Sequence, residues 1–103
     1  SISVQELNIL LSQASKETLL IDVREQIEYD ECSIAGSRLI PLNSIESGES
    51  INEIKILSAQ KNLYVFCKSG KRSLRALKYL KKCGINGTNI EGGIEAWNDA
   101  NMN

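Results

Sequence analysis

The stretch "LYVFCKSGKRSLRALKYLKKCG", Leu63 to Gly84, decides the fold. It opens on a continuous apolar run, Leu63 to Phe66, as a strand buried on both faces would. It closes on a helical pattern: from about Lys71, apolar Ala76, Leu77, Leu80 and Cys83 recur at helical spacing, and Gly84 is placed to stop the helix. A buried strand leading directly into a helix is a building block of α/β folds. Between the two stands Cys67, followed at once by Lys68, Ser69, Gly70, Lys71 and Arg72. A cysteine that only packs would sit inside the apolar run. This one ends it.

The flanking sequence extends the same alternation. "SVQELNILLSQA" offers Ser3 as a helix N-cap with Glu6 three residues on, a capping box, and then Leu7, Leu10 and Leu11 on one face. "TLLIDV" is a second buried strand, and "EQIEYDE" reads as a short helix. "SRLIPL" predicts a strand, with Pro41 confining it to an edge or an end because proline cannot donate to a ladder. Residues 43–50 read as a polar loop. Ser50 and Glu53 form a second capping box that opens a helix through "INEIKILSA". "GTNIEGG" predicts a last short strand and "GIEAWNDA" a final helix. The whole is a single α/β domain, residues 1–103, whose mostly parallel sheet is flanked by helices. In such sheets ligands bind beyond the carboxyl ends of the strands. Cys67, Asp22 and Arg24 all fall at strand ends, and so on one rim.

Composition narrows the chemistry. The net charge is −1, which argues against a general nucleic-acid binder. Residues 1–62 carry ten acids and five bases, whereas residues 63–103 carry seven bases and three acids. All seven bases lie between Lys68 and Lys82 with no acid among them. No stretch approaches the roughly 18 apolar residues of a membrane span, and no signal-peptide pattern is present. The chain opens Ser-Ile-Ser without an initiator Met, and reads as a domain cut from a longer polypeptide. Three cysteines, with no CxxC pair and no histidine, make a metal site improbable and fit free thiols in a reducing cytoplasm.

The segment between strand and helix has the makings of an anion cradle. Gly70 permits a positive φ, so the loop can curl and aim successive N–H groups inward. The following helix adds its positive end; Lys68, Lys71 and Arg72 add formal charge. All of these favour thiolate, so Cys67 should titrate below the ordinary thiol value and act as a nucleophile. Cysteine phosphatases cradle phosphate with Cys and Arg separated by five residues. Here four separate Cys67 from Arg72, and the ring is one residue short.

At this point a resemblance can be stated. "LLIDVRE" with Asp22, Val23 and Arg24, "CKSGKRS" from Cys67 to Ser73, and "GTNIEGGIEAW" with Gly92, Gly93, Ala96 and Trp97 together resemble, in order and over nearly the whole chain, a single-domain rhodanese-type sulfurtransferase. The resemblance implies a three-layer fold with Cys67 as the residue that carries sulfur as a transient persulfide, and no other cofactor. It makes Lys68, Ser69, Gly70, Lys71, Arg72 and Ser73 the active loop and anion site, and Asp22 and Arg24 a supporting rim. It implies a sulfane-sulfur donor, thiosulfate or a protein persulfide. One departure is visible: where the family has Gly-His-Ile-x-Gly-Ala, this chain has "CSIAGS", with Cys32 and Ser33 in place of Gly and His. This variant is similar to rhodanese-like domains fused behind adenylating enzymes of the molybdopterin and thiamine pathways. It implies a sulfur-carrier protein as acceptor, in cofactor or tRNA thiolation. Two other classes stay open: a phosphatase or arsenate reductase on the same fold, and a non-catalytic binding module. Elsewhere the plain expectations are that Cys83 and Trp97 pack, that Cys32 is a spare thiol near the rim, and that Lys78, Lys81 and Lys82 form a solvated face.

Overall fold

Strand alternation sorts the core. In the computed structural model, which describes residues 1–102, β1 (Thr18–Asp22) and β3 (Asn62–Phe66) are the two full strands. They pair in parallel from Thr18 opposite Asn62 to Asp22 opposite Phe66. Side chains alternate between sheet faces with period two. Leu19, Ile21 and Val23 therefore join Leu63, Val65 and Cys67 on one face, while Leu20 and Phe66 face the other way. Two short strands complete the sheet, β2 (Arg38–Leu39) beside β1 and β4 (Thr88–Asn89) beside β3, giving the order β2-β1-β3-β4 with every pairing parallel.

Each face is covered by helices. On the Cys67 face lie α3 (Leu42–Glu46), α4 (Ile51–Ser58) and α5 (Lys71–Lys82), through Ile45, Ile54, Ala76 and Leu80. On the other lie α1 (Val4–Gln13) and α6 (Gly93–Asp99), through Val4, Leu7, Ile94 and Trp97. The remaining helix, α2 (Gln26–Glu31), buries no residue and sits at the rim beyond β1. This is the expected three-layer α/β architecture. Trp97 packs as expected, at 4% exposure.

Local rules held where the backbone was free to obey them. The Ser3–Glu6 capping box forms in full. The predicted Ser50–Glu53 box does not: Ser50 starts α4 at φ −97°, ψ 0°, without a side-chain cap. Its hydroxyl lies 3.2 Å from that of Ser44, and Glu53 pairs with Arg38 instead. Residues 43–50 are not wholly loop either, because Pro41 presets the entry to α3 and fully buried Ile45 anchors it. The predicted strand over "SRLIPL" shrinks to Arg38–Leu39, although the Ile40 and Leu42 amides still bond the Asp22 and Val23 carbonyls. The strand expected in "GTNIEGG" is likewise only Thr88–Asn89. Cys83 is the C-cap residue of α5 and is partly buried.

Candidate active site

The site begins where β3 ends. Cys67 follows the last strand residue and its side chain continues the buried face, so it is only 1% exposed. The chain then turns through Lys68, Ser69 and Gly70 into α5. Gly70, at φ +125°, occupies backbone space closed to other residues, and its N–H donates to the Cys67 Sγ at 3.1 Å. The Ser73 hydroxyl, in the first turn of α5, lies 3.4 Å from the same sulfur. Burial pushes the Cys67 thiol up, but the Ser73 hydroxyl and the Ser73, Gly70 and Ser69 backbone amides outweigh it, and the thiol ends below its ordinary value. The thiolate is thus stabilised chiefly by hydrogen bonds from the loop. Lys68 and Lys71, expected to add formal charge, are exposed.

Ser73 is more constrained than its sequence position suggests. Its Oγ is 3.0 Å from the Gly70 carbonyl and 2.6 Å from Asn89 Oδ1, on β4. One hydroxyl proton faces three acceptors, counting the sulfur, so its direction follows the sulfur's charge. A neutral thiol can donate to Ser73 while Ser73 donates to Asn89; a thiolate draws the Ser73 proton to itself. Asn89, 7% exposed, had no signal in the sequence beyond its place in a short strand.

A second helix start holds the loop from outside. The Ile94 and Glu95 amides, at the head of α6, donate to the Cys67 and Lys68 carbonyls at 2.9 and 3.1 Å. With those carbonyls fixed on α6, the loop's amides are left to face the sulfur. Gly93, at φ +56°, is what permits the approach: a Cβ there would lie 2.3 Å from the Cys67 carbonyl oxygen and 2.6 Å from that of Lys68.

Arg72 takes a partner that the sequence did not suggest. Its fork binds Glu28 of α2 through two hydrogen bonds of 2.7 and 2.9 Å. This bonding holds the Glu28 carboxyl at about 2 and raises the Arg72 guanidinium, to which the nearby Cys67 charge adds a smaller push. Glu28 also accepts from the Glu25 amide in a capping box of α2, so the tether is itself braced. The E-x-x-E pattern was there to read, but nothing in it points 44 residues ahead.

Asp22 and Arg24 brace the rim. Asp22, fully buried, accepts from the Arg24 backbone and from its guanidinium at 2.8–3.1 Å. Arg24, 3% exposed, also donates to the Cys32 carbonyl at 2.7 Å, tying the end of β1 to the end of α2. Burial opposes the Arg24 charge, but Asp22 restores it and leaves its pKa raised. Cys32 is exposed, its sulfur 3.9 Å from the Asn98 amide nitrogen. Among the described residues no cluster of acids and cysteines could hold a metal ion, and no helix is long and apolar enough to cross a membrane.

Comparison with known proteins agrees with this geometry. The model for the rhodanese-like domain matches residues 3–100. The probable adenylyltransferase/sulfurtransferase MoeZ of Mycobacterium tuberculosis is 38% identical over 85 residues, covering 82% of this chain but 21% of that protein. The putative sulfurtransferase YtwF of Bacillus subtilis is 35% identical over 85 residues, 82% of this chain and 78% of its own length. Among solved structures, a rhodanese-like domain protein from Staphylococcus aureus superposes with a TM-score of 0.78 at 31% identity, covering 93% of this chain and 88% of its own. With sulfurtransferases among its relatives, the chain belongs to the rhodanese-like domain family.

Proposed function

We propose that this domain is a sulfurtransferase that carries sulfane sulfur as a persulfide on Cys67. The observation that supports it most is the convergence of hydrogen-bond donors on one buried sulfur. A thiol kept only for packing has no use for the Gly70 amide at 3.1 Å, or for a lowered pKa. The thiolate attacks the outer sulfur of a donor such as thiosulfate; the S–S bond of the donor breaks, and sulfite leaves with its electron pair. The new S–S bond is about 2 Å long, so the transferable sulfur lies that far beyond the buried Sγ. A nucleophilic acceptor then takes the outer sulfur, and the Cys67 thiolate leaves.

Lys68, Ser69, Gly70, Lys71, Arg72 and Ser73 line the anion site in this scheme, and Asp22 and Arg24 hold its rim. Phosphatase action is disfavoured by the same geometry. The loop is one residue short of the phosphate cradle, and the arginine that would clamp a phosphoryl group is engaged by Glu28. The acceptor we favour is the activated C-terminus of a sulfur-carrier protein, since relatives such as MoeZ are described as adenylyltransferase/sulfurtransferases. There the outer persulfide sulfur would attack the acyl-adenylate and expel AMP. An added thiol would then attack the Cys67 sulfur of the acyl disulfide, releasing the thiocarboxylate and leaving a mixed disulfide on Cys67. A second thiol would free the Cys67 thiolate from it as the two thiols leave as a disulfide.

Sulfur transfer from thiosulfate to cyanide tests the chemistry. Wild-type protein should turn over, Cys67→Ser should not, and aryl phosphate should be inert to both. Turnover that survives Cys67→Ser would remove the assignment.

A further inference from the structure

The seven bases from Lys68 to Lys82 divide by residue type. Arg72 binds Glu28 and Arg75 binds Glu46 of α3. The other two arginines of the chain are paired as well, Arg24 with Asp22 and Arg38 with Glu53. None of the lysines makes an ion pair among the described residues. The arginines are internal clamps, and the lysines of α5 are left to face whatever comes from outside.

Two of these lysines border a groove. Lys71, Leu74, Lys78 and Lys81 follow one another along one face of α5 at helical spacing. Beside that face runs the segment from Ile85 to Gly87, and the two enclose a groove of about 380 Å³ lined by Leu74, Leu77, Lys78, Lys81, Ile85 and Asn86, among others. Its floor is apolar, since Ile85 is buried and Leu77 is packed on the core. Its lip is Leu74, left 54% exposed in the first turns of the helix that begins the active loop. Along an α-helix of 1.5 Å rise, Leu74 to Lys81 spans roughly 10 Å, leading away from the mouth.

We infer that this groove is a docking surface for a protein partner, one that lays an acidic segment with an apolar side chain along α5 and so brings an adjoining residue to the Cys67 loop. The inference rests on the sulfur-transfer function proposed above, in which the acceptor is macromolecular. Charge complementarity selects the acidic character, and the apolar floor requires a side chain that a nucleic-acid backbone lacks. A second copy of this chain is a poorer occupant. Its acidic helix with an exposed apolar residue is α2, with Ile27 69% exposed. But α2 is tied to the active loop through Glu28, so a copy seated by α2 would lie across loop mouths.

The probe is a synthetic peptide with one leucine among aspartates and glutamates, titrated into isotope-labelled full chain and followed by amide chemical shifts. Shifts are expected at Leu74, Leu77, Lys78, Lys81, Asn86 and Gly87, with binding that weakens as salt rises. Lys78→Gln/Lys81→Gln, which keeps helix propensity, should weaken the peptide about tenfold and leave thiosulfate-to-cyanide turnover unchanged. Leu74→Ala should erase the advantage of the leucine peptide over its serine counterpart. Shifts confined to other surfaces, affinity indifferent to these variants, or tighter binding of a single-stranded RNA at the same face would overturn the proposal. So would a dimer in sedimentation that Lys78→Gln/Lys81→Gln dissociates. Peptide binding at the groove by a wild-type protein that fails to turn over thiosulfate would instead defeat the sulfur-transfer function and leave the groove standing.

Discussion

Two helices, α5 and α6, begin at the same rim behind glycines of positive φ, yet their first amides do opposite work. At the head of α5 the turn gives its N–H groups to the Cys67 sulfur, with Gly70 at 3.1 Å and Ser73 beside it. At the head of α6 the first amides go to the loop's own carbonyls, those of Cys67 and Lys68. The first start makes a thiolate possible, and the second fixes the loop that makes it. A helix N-terminus offers the same dipole and orphan donors in both cases; what differs is which acceptor the chain places there. The "GGIEAW" motif at the far end of the sequence is therefore part of the site without contacting the sulfur.

The sharpest way to break this division is Gly93→Ala. The new Cβ would meet the Cys67 carbonyl at 2.3 Å, and the left-handed backbone adds about 1–2 kcal/mol for a non-glycine residue. The α6 clamp should release. Turnover should fall to near background and the melting temperature drop by on the order of 10 °C, both readable in one preparation by calorimetry and the cyanide assay.

Ser73→Ala should act on the α5 side alone. It removes one donor from the sulfur and leaves the Asn89 side-chain Oδ1 short of its partner, a loss of about 1–3 kcal/mol in stability. Its diagnostic is the pH dependence of Cys67 alkylation by iodoacetamide. The folded thiol lies below its ordinary value, so the wild-type rate should rise at a lower pH than that of a free thiol. In the variant the midpoint should move up toward the ordinary value. An unmoved midpoint would mean that the backbone amides suffice.

Much of this was legible in the chain, for identifiable reasons. Cys67 at the end of an apolar run, Gly70 three residues on and the helical stripe after it are local signals, and local chemistry sets them. Asp22 and Arg24 could be placed on the same rim because parallel strands end together. Asn89, Glu28 and the amides of Ile94 and Glu95 were not legible as partners of the loop, because each meets it across a long sequence separation that only the packed sheet closes. The second capping box failed for a similar reason: the Ser44 hydroxyl, supplied by a helix that looked like loop, lies beside the Ser50 side chain.

Glu28→Gln sharpens the contrast between hydrogen bonds and charge. The tether itself should stay formed in mildly acid solution, since Glu28 keeps its proton off until about pH 2, while the stability it adds is full above the ordinary value of 4.5 and drains away as pH falls from there to about 2. Both partners are partly exposed, at 34% and 25%, so the stability cost should stay within about 1 kcal/mol. Freed from Glu28, the Arg72 fork should become available to an anionic donor, lowering the KM for thiosulfate a few-fold (about 1 kcal/mol or less) while kcat changes little. A lost kcat with unchanged KM would show that Arg72 acts through the loop's shape instead. Smallest of all should be Cys83→Ser at the partly buried end of α5, expected within about 0.5 kcal/mol in stability and without effect on turnover.

The central claim is that the donors gathered at the α5 start serve a sulfur carried on Cys67. Intact mass after incubation with thiosulfate and removal of excess reagent tests it most directly. Wild-type protein should gain the mass of one sulfur atom, mapped to the peptide containing Cys67 and released by cyanide, with Cys32 and Cys83 unmodified. Sulfur mapped to Cys32 or Cys83 instead, or no gain while thiosulfate-to-cyanide turnover proceeds, would contradict it.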